Sequence, residues 1–339
     1  MASVVFMGTP DFAAGILKSL IVSGHEVKAV FSQPDRPKGR KGIVQMPPVK
    51  ELALEHQIPV FQPQKIRSGE NALLIRDIRP DFIVVAAFGQ IIPQEILDIP
   101  PYGCLNVHAS LLPAWRGAAP IQWSILQGDS MTGVTIMRMD AGLDTGDIIQ
   151  KQEVEIRPDE TGDSLFERLM EAGEALLPRA MEQILDGSAV YTPQPLQSTT
   201  PYAKMLTRQS GLIDWSMDAV QIERMVRAYN SWPGTYTFLH SKMLKILRAV
   251  PVSEERRTAV PVPEERQTAG QEMVSFSGGR AALPGEILLA KKDDLVVKTG
   301  SGALRLLEVQ LEGKKRMEAG AFLRGCPLQA GDVLTQERV

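Results

Sequence analysis

Asn106, His108 and Ser110 alternate along a short apolar run, Leu105 to Ser110, that reads as a β-strand. Strand side chains alternate faces, so an amide, an imidazole and a hydroxyl share one face, with Leu105, Val107 and Ala109 on the other. The run stops at Pro113, and a loop with Arg116 and Gly117 follows. An amide N–H beside a protonated imidazole can stabilise negative charge on oxygen when a carbonyl carbon is attacked. Asp144, in Met139-Asp-Ala-Gly-Leu-Asp-Thr-Gly-Asp147, follows the next strand. It is expected at the same edge of the sheet, where its carboxylate would favour the imidazolium and could take a proton through water. Ser110 lacks the glycine-flanked elbow of a serine nucleophile. Gly8 lacks the Gly-x-Gly-x-x-Gly pattern and reads as a tight strand-to-helix turn. His25, His56 and His240 have no comparable company and receive no role.

Elements must position these groups. The first half alternates strand patterns (3–7, 27–32, 81–88, 105–110, 133–139) with helical ones near 48–56, 69–78 and 119–127. Thr9 suits an N-cap, Pro10 a first helical position and Asp11 the positive end of the helix dipole. The alternation predicts an α/β, Rossmann-like, mostly parallel sheet with helices on both faces, and ligands bind at the carboxyl ends of such strands. A long amphipathic helix is expected over 164–185, kinked at Pro178 and ended by Gly187. The stretch from Thr192 to Pro201, rich in Pro, Ser and Thr, has linker composition. This predicts a catalytic domain over 1–189, a linker over 190–205 and a smaller domain over 206–339. A helix near 218–229 and short strands at 235–239, 243–249, 285–290, 294–299 and 303–310 predict a small OB-like β-barrel there. Inside it, Val250 to Ala259 is repeated almost unchanged from Val260 to Ala269, which reads as part of a surface insertion over about 251–282.

The chain has 339 residues, enough for two domains, and a net charge of -3, so any polyanion site must be a local patch. Arg36, Lys38, Arg40, Lys41 and Lys50 face one acid, Asp35, in the loop after the second strand. From 201 to 250, seven bases (Lys204, Arg208, Arg224, Arg227, Lys242, Lys245, Arg248) outnumber three acids (Asp214, Asp218, Glu223). Such local excess is an electrostatic footprint for phosphates. Cys104 and Cys326 have no metal-ligand spacing and make no disulfide framework. No metal is expected. No signal segment or membrane span is read from the sequence, so a soluble, cytoplasmic protein is expected.

Asn106-Val-His108 running into Ser110-Leu-Leu-Pro-Ala-Trp-Arg-Gly117, with Asp144 downstream, resembles the signature of the folate-dependent formyltransferases. Phe6-Met-Gly-Thr-Pro-Asp-Phe-Ala13, Gln33-Pro-Asp-Arg-Pro-Lys-Gly-Arg40 and Arg227-Ala-Tyr-Asn-Ser-Trp-Pro-Gly234 resemble further parts of the branch that acts on tRNA. The resemblance covers almost the whole chain apart from the insertion. It implies formyl transfer from 10-formyltetrahydrofolate to the methionine amine of initiator methionyl-tRNA, with Asn106, His108 and Asp144 catalytic. It also implies that Ser110, Leu111, Leu112 and Pro113 line the folate site. The pterin needs an apolar slot with backbone polar groups, for which Phe88, Gly89, Ile91, Ile92 and Gly142 are the candidates. In the family the basic loop enters the acceptor arm and the second domain holds the tRNA, which assigns Arg36, Lys38, Arg40 and Lys41, and the domain over 206–339, to tRNA. Arg116 either binds an acidic group or braces its loop, and the run Lys314-Lys315-Arg316 is a further RNA candidate. A monomer is expected. Two other readings stay open: a folate enzyme whose acceptor is water or an amino sugar, and a non-catalytic RNA-binding module. The basic loop and second domain weigh against the first; the Asn106, His108 and Asp144 set weighs against the second.

Overall fold

The computed structural model describes residues 1–38, 43–254, 273–274 and 282–338. In chain order the elements begin β1 (Ser3–Gly8), α1 (Asp11–Val22), β2 (Glu26–Phe31), β3 (Arg36–Lys38), β4 (Ile43–Gln45), α2 (Pro48–Glu55) and β5 (Val60–Phe61). They continue with α3 (Gly69–Ile78), β6 (Phe82–Ala86), α4 (Gln94–Leu97), β7 (Cys104–His108), α5 (Pro120–Gln127), β8 (Met131–Arg138), β9 (Ile148–Glu155) and α6 (Gly162–Asp186). After a 3-10 turn (Arg208–Gly211) come α7 (Ala219–Ala228), β10 (Thr235–Leu239), β11 (Lys242–Glu254), β12 (Met273–Val274), β13 (Ile287–Lys291) and β14 (Asp294–Lys298). The last are β15 (Ala303–Leu311), β16 (Met317–Glu318) and α8 (Ala319–Gly325). The chain forms two compact units, one of Met1–Ile121, Ser130–Arg157 and Ser164–Met205, the other of Gln122–Asp129, Pro158–Asp163 and Leu206–Val339.

In the first unit a seven-stranded sheet has the order β5-β2-β1-β6-β7-β8-β9. The strands from β5 to β7 pair in parallel; β8 and β9 are antiparallel. Every residue of β1 and β6 is buried, which is why both read as unbroken apolar runs. Val5, Met7, Phe31, Ile83 and Val85 pack with Ile75 of α3 and with Phe88 in one core cluster. The chain runs outward from β1 to β2 and β5, then crosses to β6, so the strand order reverses between β1 and β6. Ligand crevices form at such a switch point, beyond the strands' carboxyl ends.

Several local expectations change. Thr9 does not cap α1: Pro10 occupies the cap position and the helix starts at Asp11. The Thr9 hydroxyl instead donates to the Phe88 carbonyl (3.4 Å) and accepts from the Gln33 N–H (3.3 Å), joining the loops after β1, β2 and β6. β6 stops at Ala86 because Ala87 (φ 45°) and Gly89 (φ 81°) turn left-handed. β7 stops at His108, two residues short of Ser110. Helix α6 runs through Pro178 to Asp186, and Gly187 follows it with φ 78°.

The loop after β2 is an antiparallel ribbon, with Arg36 opposite Gln45. Its base is tied down: the Asp35 carboxylate accepts from Lys50 Nζ (2.7 and 3.0 Å) and Gln62 Nε2 (2.7 Å). Arg40 and Lys41 lie outside the described residues.

In the second unit, β10-β11-β15-β14-β13 form one sheet, with β12 on β11 and β16 on β15. Leu244, Ile246, Leu295, Val297, Leu304 and Val309 are buried. The Asp218 carboxylate caps α7 by accepting from the Val220 N–H (2.8 Å). The segment 331–335 exchanges bonds with Phe238 on one side and with Gly285 and Ile287 on the other. It thereby links the β10 edge to the β13 edge and closes a barrel. β12 pairs in parallel with the end of β11; the duplicated segment beyond Glu254 lies outside the described residues.

Candidate active site

Asn106 and His108 stand two apart on β7, and both reach Asp144. Asn106 Nδ2 is 3.4 Å from Asp144 Oδ1, and His108 Nδ1 is 3.7 Å from the same oxygen. Two donor positions thus converge on one point. Asp144 Oδ2 accepts from the Gly117 N–H at 2.9 Å. His108 is buried, and its Nε2 lies 3.1 Å from the Trp115 carbonyl. A carbonyl only accepts, so Nε2 carries a proton. A ring protonated at both nitrogens meets an oxygen acceptor on each side.

Asp144 arrives from an unexpected direction. The sequence placed it at the edge where β7 ends, but β8 is antiparallel to β7, with Arg138 opposite Leu105. The loop after β8 therefore leaves beside the start of β7 and folds back to His108. Its base is closed by the Arg138 N–H on the Asp147 carbonyl (2.8 Å). A Cβ at Gly146 would collide with the Arg138 carbonyl, so the closure needs glycine. Asp144 itself is left-handed, with φ 55°. So is Trp115, with φ 56°, which turns its carbonyl toward His108. Left-handed backbone costs about 1–2 kcal/mol for a residue with a Cβ and persists only where other contacts hold it.

The other expected residues divide. Ser110 does not join the trio: it is fully buried, and its hydroxyl donates to the Ala114 carbonyl (2.6 Å). Leu112 is also buried, clustered with Met137 and Ile148, and its N–H donates to Thr135 Oγ1 (3.1 Å). Its carbonyl accepts from Lys151 Nζ. Leu111 and Pro113 are half-buried. Phe88 and Ile92 belong to the core cluster, so their side chains support the 87–91 loop from beneath. Ala87, Gly89 and Ile91 are the exposed residues of that loop, Ile91 at 74%. A shallow groove of about 270 Å³ runs beside it between Gln33, Lys65, Arg67 and Ile91. Gly142 is exposed; a side chain there would strike Thr145 within its own loop. A separate hollow of about 520 Å³ between Arg76, Arg79, Glu95 and Asp98 lies at the other end of the sheet, where β6 and β7 begin.

Arg116 braces its loop. It is buried, donating to Gln194 Oε1 (3.2 and 2.9 Å) and to the Pro195 (2.8 Å) and Leu196 (3.2 Å) carbonyls. The partners come from the Pro/Ser/Thr-rich stretch, which is bonded along its length. Thr192 exchanges two backbone bonds with Ile148. Ser198 Oγ donates to the Pro113 carbonyl (2.6 Å), and Thr200 Oγ1 accepts from the Trp115 N–H (2.7 Å). Sequence reasoning missed Gln194, because its composition suggested a linker. The only signal was a run of side chains able to bond backbone groups.

Many expected cations are engaged within the protein. Lys50 is paired with Asp35. Arg224 donates to the Gln127 carbonyl, Arg227 pairs with Glu223 and the Glu160 carbonyl, Arg248 with Glu318 and Arg316 with Glu308. Arg36 is exposed, with one long contact to Gln33 (3.5 Å). Burial pushes the Cys104 thiol up to about 12, so it is no nucleophile. Among the described residues no group of three His, Cys, Asp or Glu is placed to hold a metal ion, and no helix is long and apolar enough to cross a membrane.

The sequence and the fold have counterparts in known proteins. The formyl transferase family matches residues 1–181, and the formyl transferase C-terminal domain matches 205–327. A methionyl-tRNA formyltransferase of Agathobacter rectalis is 48% identical over 98% of this chain and 99% of its own. One from Geobacter metallireducens is 45% identical over 97% of each chain. Among solved structures, the sugar 3N-formyl transferase WlaRD, crystallised with dTDP and 5-N-formyl-THF, superposes with a TM-score of 0.62 at 17% identity, covering 93% of this chain and 99% of that one. HypX from Aquifex aeolicus, in complex with tetrahydrofolic acid, gives 0.58 at 19% identity; 98% of this chain spans 50% of that protein.

Proposed function

This chain belongs to the formyl transferase family, and from that premise we propose that it formylates the α-amino group of methionine on initiator methionyl-tRNA. The formyl donor is 10-formyltetrahydrofolate, which supplies a carbonyl carbon bonded to a nitrogen leaving group. The observation that carries the catalytic reading is the convergence of Asn106 Nδ2 and His108 Nδ1 on Asp144 Oδ1, which gathers amide, imidazole and carboxylate at one point.

Attack by the amine forms a C–N bond and drives the carbonyl π electrons onto oxygen. Asn106 Nδ2 carries a second N–H besides the one facing Asp144, and that N–H donates to the charge. The His108 imidazolium, held between Asp144 and the Trp115 carbonyl, stabilises it through space. Such preorganised groups are worth most where water is excluded. Asp144 balances the imidazolium and takes the proton that the attacking amine must shed, directly or through water. The oxygen's electrons then re-form the carbonyl, the bond pair leaves with the folate nitrogen, and that nitrogen takes up the proton that Asp144 received, directly or through water. The nucleophile belongs to the substrate, so no covalent enzyme intermediate is needed.

The folate fits beside the exposed backbone of 87–91, where Gly89 has positive φ and a Cβ would meet only Gln33 Nε2 at 3.9 Å. Leu111, Pro113 and the 140–144 loop supply the rest of the slot; Ser110, Leu112, Phe88 and Ile92 act by supporting its walls. Arg36 and Lys38 on the ribbon, with Arg40 and Lys41, are assigned to tRNA phosphates. The protein acts in the cytoplasm as a monomer.

One assay tests the whole reading. The protein is incubated with 10-formyltetrahydrofolate and charged initiator tRNA, and formyl-methionine is measured. Loss of the formyl group to water without transfer would point to a hydrolase. RNA binding with neither reaction would leave a binding module.

A further inference from the structure

We propose that Gln194 is a positioning residue for formyl transfer: one side-chain amide clamps the Asp144 loop to the Arg116 loop and so fixes the carboxylate against Asn106 and His108. The inference rests on the reading of Asp144 given above. Gln194 Nε2 donates to the Asp144 carbonyl (3.0 Å) and to the Gly146 carbonyl (2.7 Å). Its Oε1 accepts from Arg116 Nε (3.2 Å) and Nη2 (2.9 Å). The amide therefore spends donor and acceptor on two different loops.

Both loops end at the same carboxylate. Arg116 is followed by Gly117, whose N–H holds Asp144 Oδ2 (2.9 Å). The Arg116 carbonyl accepts from the Ala203 N–H (2.8 Å), so this stretch grips the residue at its backbone as well. Asp144 is thus held at its side chain by one loop and at its carbonyl by Gln194. That second hold bears directly on orientation, because φ 55° is a disfavoured setting from which a residue with a Cβ relaxes when released. Gln194 is itself fixed by Thr192, paired with Ile148 through bonds of 2.8 and 2.9 Å. Small misplacements of a reacting group cost rate more than binding.

The test uses the full chain. Gln194→Glu keeps an acceptor for Arg116 but turns a donor into an oxygen facing two carbonyls; Gln194→Ala removes both functions. Each is measured alone and with Asp144→Asn, with Tm as a check on folding. We expect kcat to fall about tenfold or more in both single variants, with KM for folate and tRNA within about threefold. In the Asp144→Asn background, Gln194→Ala should lower kcat by less than about twofold more, because its effect passes through Asp144. Full additivity of the two losses, a loss confined to KM, or a collapse of Tm in both single variants would overturn the clamp. So would full activity of Gln194→Glu beside a disabled Asp144→Asn. Full activity of Asp144→Asn would instead sink the reading of Asp144 itself, and the clamp with it.

Discussion

Truncating His108 or Asn106 to Ala removes one of the two donors that converge near Asp144 Oδ1. Turnover should fall by about 10² or more in each, the size of a lost oxyanion donor, with tRNA affinity nearly unchanged. Steady-state kinetics with a separate tRNA-binding measurement check this; a loss seen only in binding would remove them from the chemistry. At this scale the alternation of Asn106 and His108 was legible, because strand periodicity alone puts them together. Ser110 was not, because β7 ends before it and its hydroxyl turns to the Ala114 carbonyl. Phe88 and Ile92 looked like slot residues by composition, yet apolar side chains beside a crevice serve the core equally well.

Between elements, Asp81 ties the start of β6 to β1: its carboxylate accepts from the Ser3 N–H (2.7 Å) and hydroxyl (2.9 Å). The backbone bond from Ser3 is the main reason its carboxyl lies below the usual range. A carboxyl depressed on folding adds stability that is fully present above its unfolded value, about 3.9, and is lost as pH falls through the lower folded value. Asp81→Asn should therefore be less stable than the parent at pH 7, with the gap closing below about pH 4. Denaturant midpoints across that range give the comparison; a constant gap would refute it. The ribbon allows a second test. Arg36→Ala should flatten the salt dependence of tRNA binding by about one unit of log–log slope, whereas Lys50→Ala should not, since Lys50 is neutralised by Asp35. Equal losses would mean that Lys50 leaves Asp35 for a phosphate. The parallel strands were readable because burial on both faces makes them apolar throughout. β9, Ile-Ile-Gln-Lys-Gln-Glu-Val-Glu, was missed because a half-buried edge strand carries too few apolar residues to stand out. The antiparallel pairing of β8 with β7 leaves no trace in composition, so the side from which Asp144 approaches is not legible in the sequence.

For the molecule as a whole, the βαβ alternation followed by helix-poor strands was enough to divide the fold class, since each pattern has its own period. Charge was less informative: counting bases over 201–250 ignored the partners of Arg224, Arg227 and Arg248. The duplicated segment begins within β11 and continues, from 255 to 269, between β11 and β12 in the chain, where Ser253 already neighbours Met273. A chain lacking 255–271, with a short glycine linker, should keep its kcat/KM for formylation; a large loss would give the segment a role in the reaction.

Closure of the second unit depends on very little backbone. Segment 331–335 bonds Phe238 on one flank and the Gly285 carbonyl and Ile287 on the other. A protease nick or premature stop just before Gly331 would leave the Phe238 and Ile287 N–H groups without acceptors on two sheet edges at once, and open edges recruit other chains. Such a fragment would be lost to self-association while its Asn106, His108 and Asp144 remained chemically intact. A clinical or laboratory screen that scored only active-site integrity would pass it as sound.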